Sequence, residues 1–318
     1  MRPLRTEKME NKEFYRALPE DEGTRLDRFL ITRRPDLSRS HIQKLIENGN
    51  VSADGRPVKA SLKMKAGEEI SLLLPEPEST DVVPVRMNLD ILYEDEDILI
   101  VNKPKGMVVH PCAGHRDDTL VNGILEHCGK DLSGINGVLR PGIVHRIDKN
   151  TTGALIVCKN DEAHRFISEQ LKVHSITRKY RGIVIGIPDR DEGTIEGAIG
   201  RDPKDRKRMA VVRVNGKDAV THYRVLEKMK GFAYCEFTLE TGRTHQIRVH
   251  MASIGHPILG DDVYGPRKCP MELEGQTLHA MTIGFVHPRT GKYVEFTAPL
   301  PEYFEELLKK LRKEGTEA

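Results

Sequence analysis

Nine residues, His145-Arg146-Ile147-Asp148-Lys149-Asn150-Thr151-Thr152-Gly153, lead directly into the apolar run Ala154-Leu155-Ile156-Val157-Cys158. The run has the length and branching of a buried strand. A polar segment that ends in glycine and enters such a strand reads as a loop at the mouth of a sheet, where functional residues are disproportionately found. A fold for this chain therefore has to bury 154–158 and leave Asp148 on a loop at the sheet's mouth. Arg146, Lys149 and His145 flank Asp148, and opposite charges so near favour an ionised carboxylate. Such a group can act as nucleophile or base on a polyanionic substrate. For an arbitrary Asp, a surface loop with a salt bridge is the ordinary alternative.

The chain has 318 residues, enough for one large domain and a small one. No apolar run approaches the length of a membrane span, so no membrane association is expected. The N-terminal MRPLRTEKMENKEF has no apolar core and is expected to be a disordered leader, over 1–15, and not a secretory signal. The five cysteines form no CxxC pair and are odd in number, which argues against a zinc site or a disulfide framework and for a reducing cytoplasm. No Walker or dinucleotide fingerprint occurs. The net charge of +2 hides a segregation. Residues 25–65 hold ten Lys/Arg against four acids, 76–97 one Arg against eight acids, and 201–213 six basic residues against two acidic ones. Two basic patches on a near-neutral chain read as contacts for phosphates.

A first domain is expected over 16–75. Leu26, Phe29 and Leu30 recur at helical spacing, and Pro35 breaks that helix. Ser38 reads as the N-cap of a second helix carrying Ile42, Leu45 and Ile46, closed by Gly49. Asp54-Gly55 marks a tight turn between short strands, and a last strand covers 69–74. The acidic, Pro-containing stretch 76–88 reads as a linker. A second domain is expected over 89–318. Strands are read at 91–93, 98–102, 179–187, 219–227 and 232–240. A helix capped by Asn160 presents Ala163, Phe166, Ile167 and Leu171. Ile247, His250, Met251 and Ile254 follow helical spacing, and Phe304, Leu307, Leu308 and Leu311 mark a terminal amphipathic helix. The pattern predicts an α+β fold: a mixed, largely antiparallel sheet behind a small N-terminal α/β domain.

HRIDKNTTG closely resembles the catalytic motif of the Rlu-type pseudouridine synthases that modify ribosomal RNA, with Ile147 and Thr152 where the common wording has Leu and Ser. NKPKGMVVHP (102–111), Lys179-Tyr180-Arg181 and Gly242-Arg243-Thr244-His245-Gln246-Ile247-Arg248-Val249-His250 resemble further blocks of that family, in the same order. The segment from TRLDRFL through SRSHIQKLIENGNVSADGRPV resembles the RNA-binding module named after the small-subunit ribosomal protein S-four. That resemblance implies RNA contacts from Arg39 and Lys44, with Asn48-Gly49-Asn50 near the backbone.

The resemblance implies isomerisation of uridine within RNA: the glycosidic bond is cut, the bound uracil rotates, and a carbon–carbon bond to the same sugar forms. No cofactor is needed, because the base is both leaving group and incoming nucleophile, and no metal is expected. His245 and His250 are five apart, which does not put both on one helical face for a metal. Asp148 is implied as the catalytic carboxylate, Arg248 as its partner, and Tyr180 as the ring that meets the uracil. Arg146 is implied to fill the gap left by the flipped nucleotide. His145, Lys179 and Arg243 are candidate substrate contacts, and Lys204–Arg208 reads as a loop that grips phosphates. Large-subunit ribosomal RNA is favoured over transfer RNA because a separate RNA-binding module suits a large structured target. A monomer is expected. The rival readings are an N-glycosidase that releases free uracil and a non-catalytic ribosome-assembly factor.

Overall fold

The structure, a computed structural model, describes residues 11–35, 37, 39–74, 82–112, 114–129, 131–135, 141–205 and 208–316. The chain divides into two compact units, 1–80 and 81–318.

The first unit contains β1 (Asn11–Arg16), α1 (Leu26–Arg33), α2 (Arg39–Glu47), β2 (Val51–Ala53), β3 (Arg56–Pro57) and β4 (Glu69–Leu74). The strands form one sheet in the order β1-β4-β2-β3. Leu26, Phe29 and Leu30 of α1 and Ile42, Leu45 and Ile46 of α2 pack on Ile70 and Leu72. Helix α2 ends as its sequence requires: Gly49 adopts φ 78°, its N–H donates to Ile46, and the Asn50 N–H donates to Leu45. Ser38 lies outside the described residues. The leader expected over 1–15 is corrected from Asn11 onward, because Asn11–Arg16 pair residue by residue with Leu74–Glu69. This strand is held by its backbone ladder, and Phe14 on it is exposed, so it lacks the apolar alternation that marks a strand in sequence.

The second unit is built on a large sheet of β5 (Ile91–Glu94), β6 (Ile98–Lys103), β7 (Thr152–Cys158), β8 (Thr177–Ile185), β9 (Glu192–Glu196), β12 (Val220–Met229), β13 (Phe232–Leu239), β14 (Leu278–Val286) and β15 (Tyr293–Thr297). A separate hairpin pairs β10 (Ile199–Arg201) with β11 (Met209–Val211). The helices are α3 (Leu120–Cys128), α4 (Asp161–Lys172), α5 (Gln246–Ser253) and α6 (Glu302–Thr316). The strand order is β5-β6-β7-β14-β8-β13-β12-β9, with β15 on the far half of β14. Among the described pairings of this sheet, only β7 with β14 is parallel. The fold is thus the mixed, largely antiparallel α+β sheet that the pattern predicts.

Strands β6 and β7 read as unbroken apolar runs because both faces of the sheet are covered. Leu99, Val101, Leu155 and Val157 pack with α3 and α5, whereas Ile98, Ile100, Ile156 and Cys158 pack with α4. Helix α6 buries Phe304, Leu307, Leu308 and Leu311 against Ile183 and Met229. Two expected core residues are exposed instead. Phe166 lies on the outer side of α4, and Ile254 falls just past the end of α5. The second half of the stretch read as a linker belongs to this unit. Val82 is buried in the core, and the Asn122 side chain of α3 donates to the Val83 carbonyl.

Gly153 explains how the motif enters the sheet. It adopts φ 109°, and a Cβ there would lie 2.2 Å from the Ala280 carbonyl oxygen of β14. Only glycine permits both the backbone angle and the approach of the two parallel strands. Asp148 is thereby delivered near the middle of the sheet, on the face that carries Tyr180.

Candidate active site

Asp148 lies on the loop before β7, and the Thr151 N–H closes a turn onto its carbonyl. Arg248, in the first turn of α5, reaches across 100 positions of sequence to donate from Nη1 to Asp148 Oδ2 at 3.0 Å. The same guanidinium holds a second carboxylate, Asp261, with Nε to Oδ2 at 2.7 Å and Nη2 to Oδ1 at 2.9 Å. Asp261 is buried and also accepts the Val263 and Tyr264 N–H groups. Burial by itself would raise the Asp261 carboxyl, but the Arg248 bonds and charge outweigh it and hold it below the usual carboxylate range. Burial likewise opposes the Arg248 charge, and the two carboxylates overcome it. Asp261 thus fixes the direction from which Arg248 meets Asp148.

His245 precedes α5 in a left-handed conformation, φ 58°. Its Nε2 is 3.8 Å from Asp148 Oδ1, and its Nδ1 is 2.7 Å from the Tyr264 hydroxyl. That hydroxyl also accepts the Met209 N–H at 2.9 Å. Burial pulls His245 below its ordinary value, and the Asp148 charge opposes this. Arg208, on the basic loop between β10 and β11, stacks 5.3 Å from the centre of the Tyr264 ring. Lys204 and Asp205 precede it on that loop, and residues 206–207 lie outside the described ones.

Asp148, Tyr180, Arg146, Arg243 and His245 share one cleft of about 350 Å³. Tyr180 is buried on β8, and burial raises its hydroxyl above the ordinary value. His145 lines the same cleft but is not a cation beside Asp148: its Nε2 accepts the Ile156 N–H of β7, and burial, with the Arg178 charge, pushes it down to about 3. Lys149 turns to His115, Nζ to Nε2 3.1 Å. The cation on Asp148 is thus the distant Arg248, and none of the motif's own three pairs with it among the described residues. Lys179 lies on the opposite face of β8 from Tyr180. Residues of β8 alternate between faces, so Arg178, two before Tyr180, is the basic residue on the tyrosine's side. In the first unit Lys44 is exposed, whereas Arg39 donates to the buried Asp27 at 2.9 Å, beside Arg25.

Lys103, within the NKPKG turn, is fully buried. Its Nζ donates to the carbonyls of Pro104, Met107 and Lys149 at 2.8, 2.8 and 2.9 Å, tying that turn to the residue after Asp148. Burial lowers this amine to about 7, against the pull of the Asp148 charge. Three acceptors take three N–H donors, which is the ammonium form. Lys103→Met would leave three carbonyls without that donor, each at a cost of about 1–3 kcal/mol. The variant is expected to melt well below the wild type and to lose activity through a displaced Asp148 loop. A denaturation curve with an unchanged midpoint would contradict this.

Among the described residues, two groups of side chains lie close enough to share a metal ion: Glu94, His127 and Cys128, and Asp95, Asp97 and His287. Their carboxylates already meet Lys159 and Arg289, so both read as ion-paired clusters at the β5–β6 turn. No described helix is long and apolar enough to cross a membrane.

Residues 97–253 match the RNA pseudouridylate synthase family, and residues 24–70 match the S4 domain. The chain is 54% identical over 299 residues to the uncharacterised RNA pseudouridine synthase YlyB of Bacillus subtilis (strain 168), covering 94% of this chain and 98% of that one. It is 46% identical to the ribosomal large subunit pseudouridine synthase D of Zymomonas mobilis, covering 91% and 94%. The solved structure of human RNA pseudouridylate synthase domain containing 1 aligns with 97% of its length on 74% of this chain, at 26% identity and a TM-score of 0.56. The chain therefore belongs to the RNA pseudouridine synthases, which are isomerases, and it carries an S4 domain at its N-terminal end.

Proposed function

We propose that this enzyme isomerises uridines in large-subunit ribosomal RNA, with Asp148 as the catalytic carboxylate. One observation carries the assignment of Asp148. Its Oδ2 is held by Arg248, whereas its Oδ1 has no hydrogen bond among the described residues and lies 3.8 Å from His245 Nε2, in a side chain that lines the cleft. One oxygen is fixed and the other has no hydrogen bond to give up when substrate arrives. The carboxylate is 18% exposed, whereas Arg248 and Asp261 beside it are at 5% and 0%, so Asp148 is the acid a nucleotide reaches.

In the proposed reaction the uridine leaves its stack and enters the cleft beside Tyr180, whose flat ring offers a stacking face. Asp148 then either adds to the anomeric carbon as the glycosidic bond breaks, as in retaining glycosidases, or takes the neighbouring ribose proton. The freed uracil turns and bonds to the same sugar through its C5, and the C5 proton is lost to solvent. N1, freed from the sugar, takes up a proton in exchange, so the RNA keeps its composition.

The ribosomal target is supported by the S4 domain and by the large-subunit name of the Zymomonas relative. All five cysteines are free thiols, in keeping with work in the cytoplasm. Mapping pseudouridines in RNA from cells with and without the enzyme tests the target. Loss of one or more sites in large-subunit RNA is expected, and loss confined to transfer RNA would contradict it.

Arg146 is exposed at the cleft and has no carboxylate partner among the described residues. We assign it to the space vacated by the flipped uridine. Arg146→Ala should lower the apparent rate by the fraction of flipped state lost, and the defect should shrink on an RNA whose target uridine is already unpaired. An equal loss on paired and unpaired targets would overturn the flipping role.

A further inference from the structure

Arg178 is a buried guanidinium, 7% exposed, whose charge meets no carboxylate among the described residues. Its Nη2 donates to the Glu240 carbonyl at 2.8 Å, and its Nε finds no partner. It lies against Gly242 so closely that a Cβ there would be 2.5 Å from Nη1, which accounts for glycine at that point of the GRTHQIR block. A second guanidinium, Arg243, lines the same cleft. Its Nε donates only to the Asp218 carbonyl, and its charge acts against that of Arg178. Two such cations side by side without an anion are an unusual arrangement, since buried charges are normally paired. Among the described residues that line this cleft the one carboxylate is Asp148, which is already engaged by Arg248.

We propose that the part of the cleft between Arg178 and Arg243 is an anion site that holds a phosphate of the RNA backbone next to the target uridine. Arg178 supplies a directed donor from a fixed position, and Arg243 supplies a second charge from the rim. A guanidinium suits this role because its planar fork matches phosphate oxygens. The site sets where the sugar lies relative to Asp148, so Arg178 is a positioning residue. The identity of the anion as RNA phosphate rests on the reading of this protein as an RNA-modifying enzyme.

The test titrates the full-length protein with uridine, uridine 5′-monophosphate and uridine 3′-monophosphate at low salt, followed by NMR. At least one monophosphate should bind about tenfold more tightly than the nucleoside, the scale of one charge-assisted hydrogen bond. Which one it is tells on which side of the target the phosphate lies. Arg178→Gln should abolish this preference while leaving uridine binding unchanged, and Arg178→Lys should keep part of it. Should Arg178→Gln fail to fold, Arg243→Gln, altered at a partly exposed side chain, should cut the preference as well. No preference in the wild type, or a full preference in a folded Arg178→Gln variant, overturns the proposal. Wild-type protein that makes pseudouridine without a phosphate preference removes the anion site alone. A preference without any pseudouridine formed removes the activity reading and leaves the anion site standing.

Discussion

Arg248→Ala is expected to slow isomerisation severely and to loosen the fold together. The side chain lies between two carboxylates and bonds to both. Its removal strands Asp261, a fully buried charge, and breaking a buried pair from one side costs about 3–5 kcal/mol. It also removes the donor that orients Asp148. Loss of a preorganised group of this kind lowers rates by about 10²–10³-fold. Arg248→Lys should recover part of the stability and little of the rate, because an ammonium cannot present the planar fork that spans both acids. Chemical denaturation and single-turnover tritium release from 5-tritiated uridine in RNA read the two effects separately. An Arg248→Ala enzyme with wild-type turnover would show that Arg248 serves only the fold.

Much of this arrangement is legible in the sequence, for local reasons. Gly153 and the run behind it announce a loop entering a buried strand, and Asp148 follows from that. Helix α4 is visible through Asn160, whose side chain accepts the Ala163 N–H, and α6 through its apolar stripe. Other features are hidden because proximity in sequence is not proximity in space. His145, Arg146 and Lys149 flank Asp148 in the chain, yet one binds β7, one lines the cleft and one turns to His115. Strand alternation along β8 could have directed attention from Lys179 to Arg178. Asp261 carries no periodicity that ties it to Arg248, thirteen positions earlier, although Gly260-Asp261-Asp262 stands out as an acidic turn. Nor does any local pattern insert β14 between β7 and β8, since that pairing joins residues more than 120 positions apart. Strand β1 is hidden for two reasons: it is nearly devoid of apolar alternation, and its partner β4 lies more than 50 positions away.

The assignment of Asp148 is tested most directly by Asp148→Asn. Asparagine keeps the shape of the side chain and can still meet Arg248 through its carbonyl oxygen, but it carries no charge and can neither add to the sugar nor take its proton. The S4 domain and the cationic groups of the cleft, Arg146, Arg178 and Arg243, are untouched. The variant should therefore fold and should bind large-subunit RNA with an affinity close to that of the wild type. The rate should fall on the order of 10⁴-fold or more, as when a principal catalytic group is removed. The decisive measurement is single-turnover tritium release on large-subunit RNA at saturating enzyme, with RNA binding measured in parallel. Intact binding with no detectable release is expected from the Asn variant. Release within tenfold of the wild type, from a folded variant that binds equally well, would contradict the role given to Asp148.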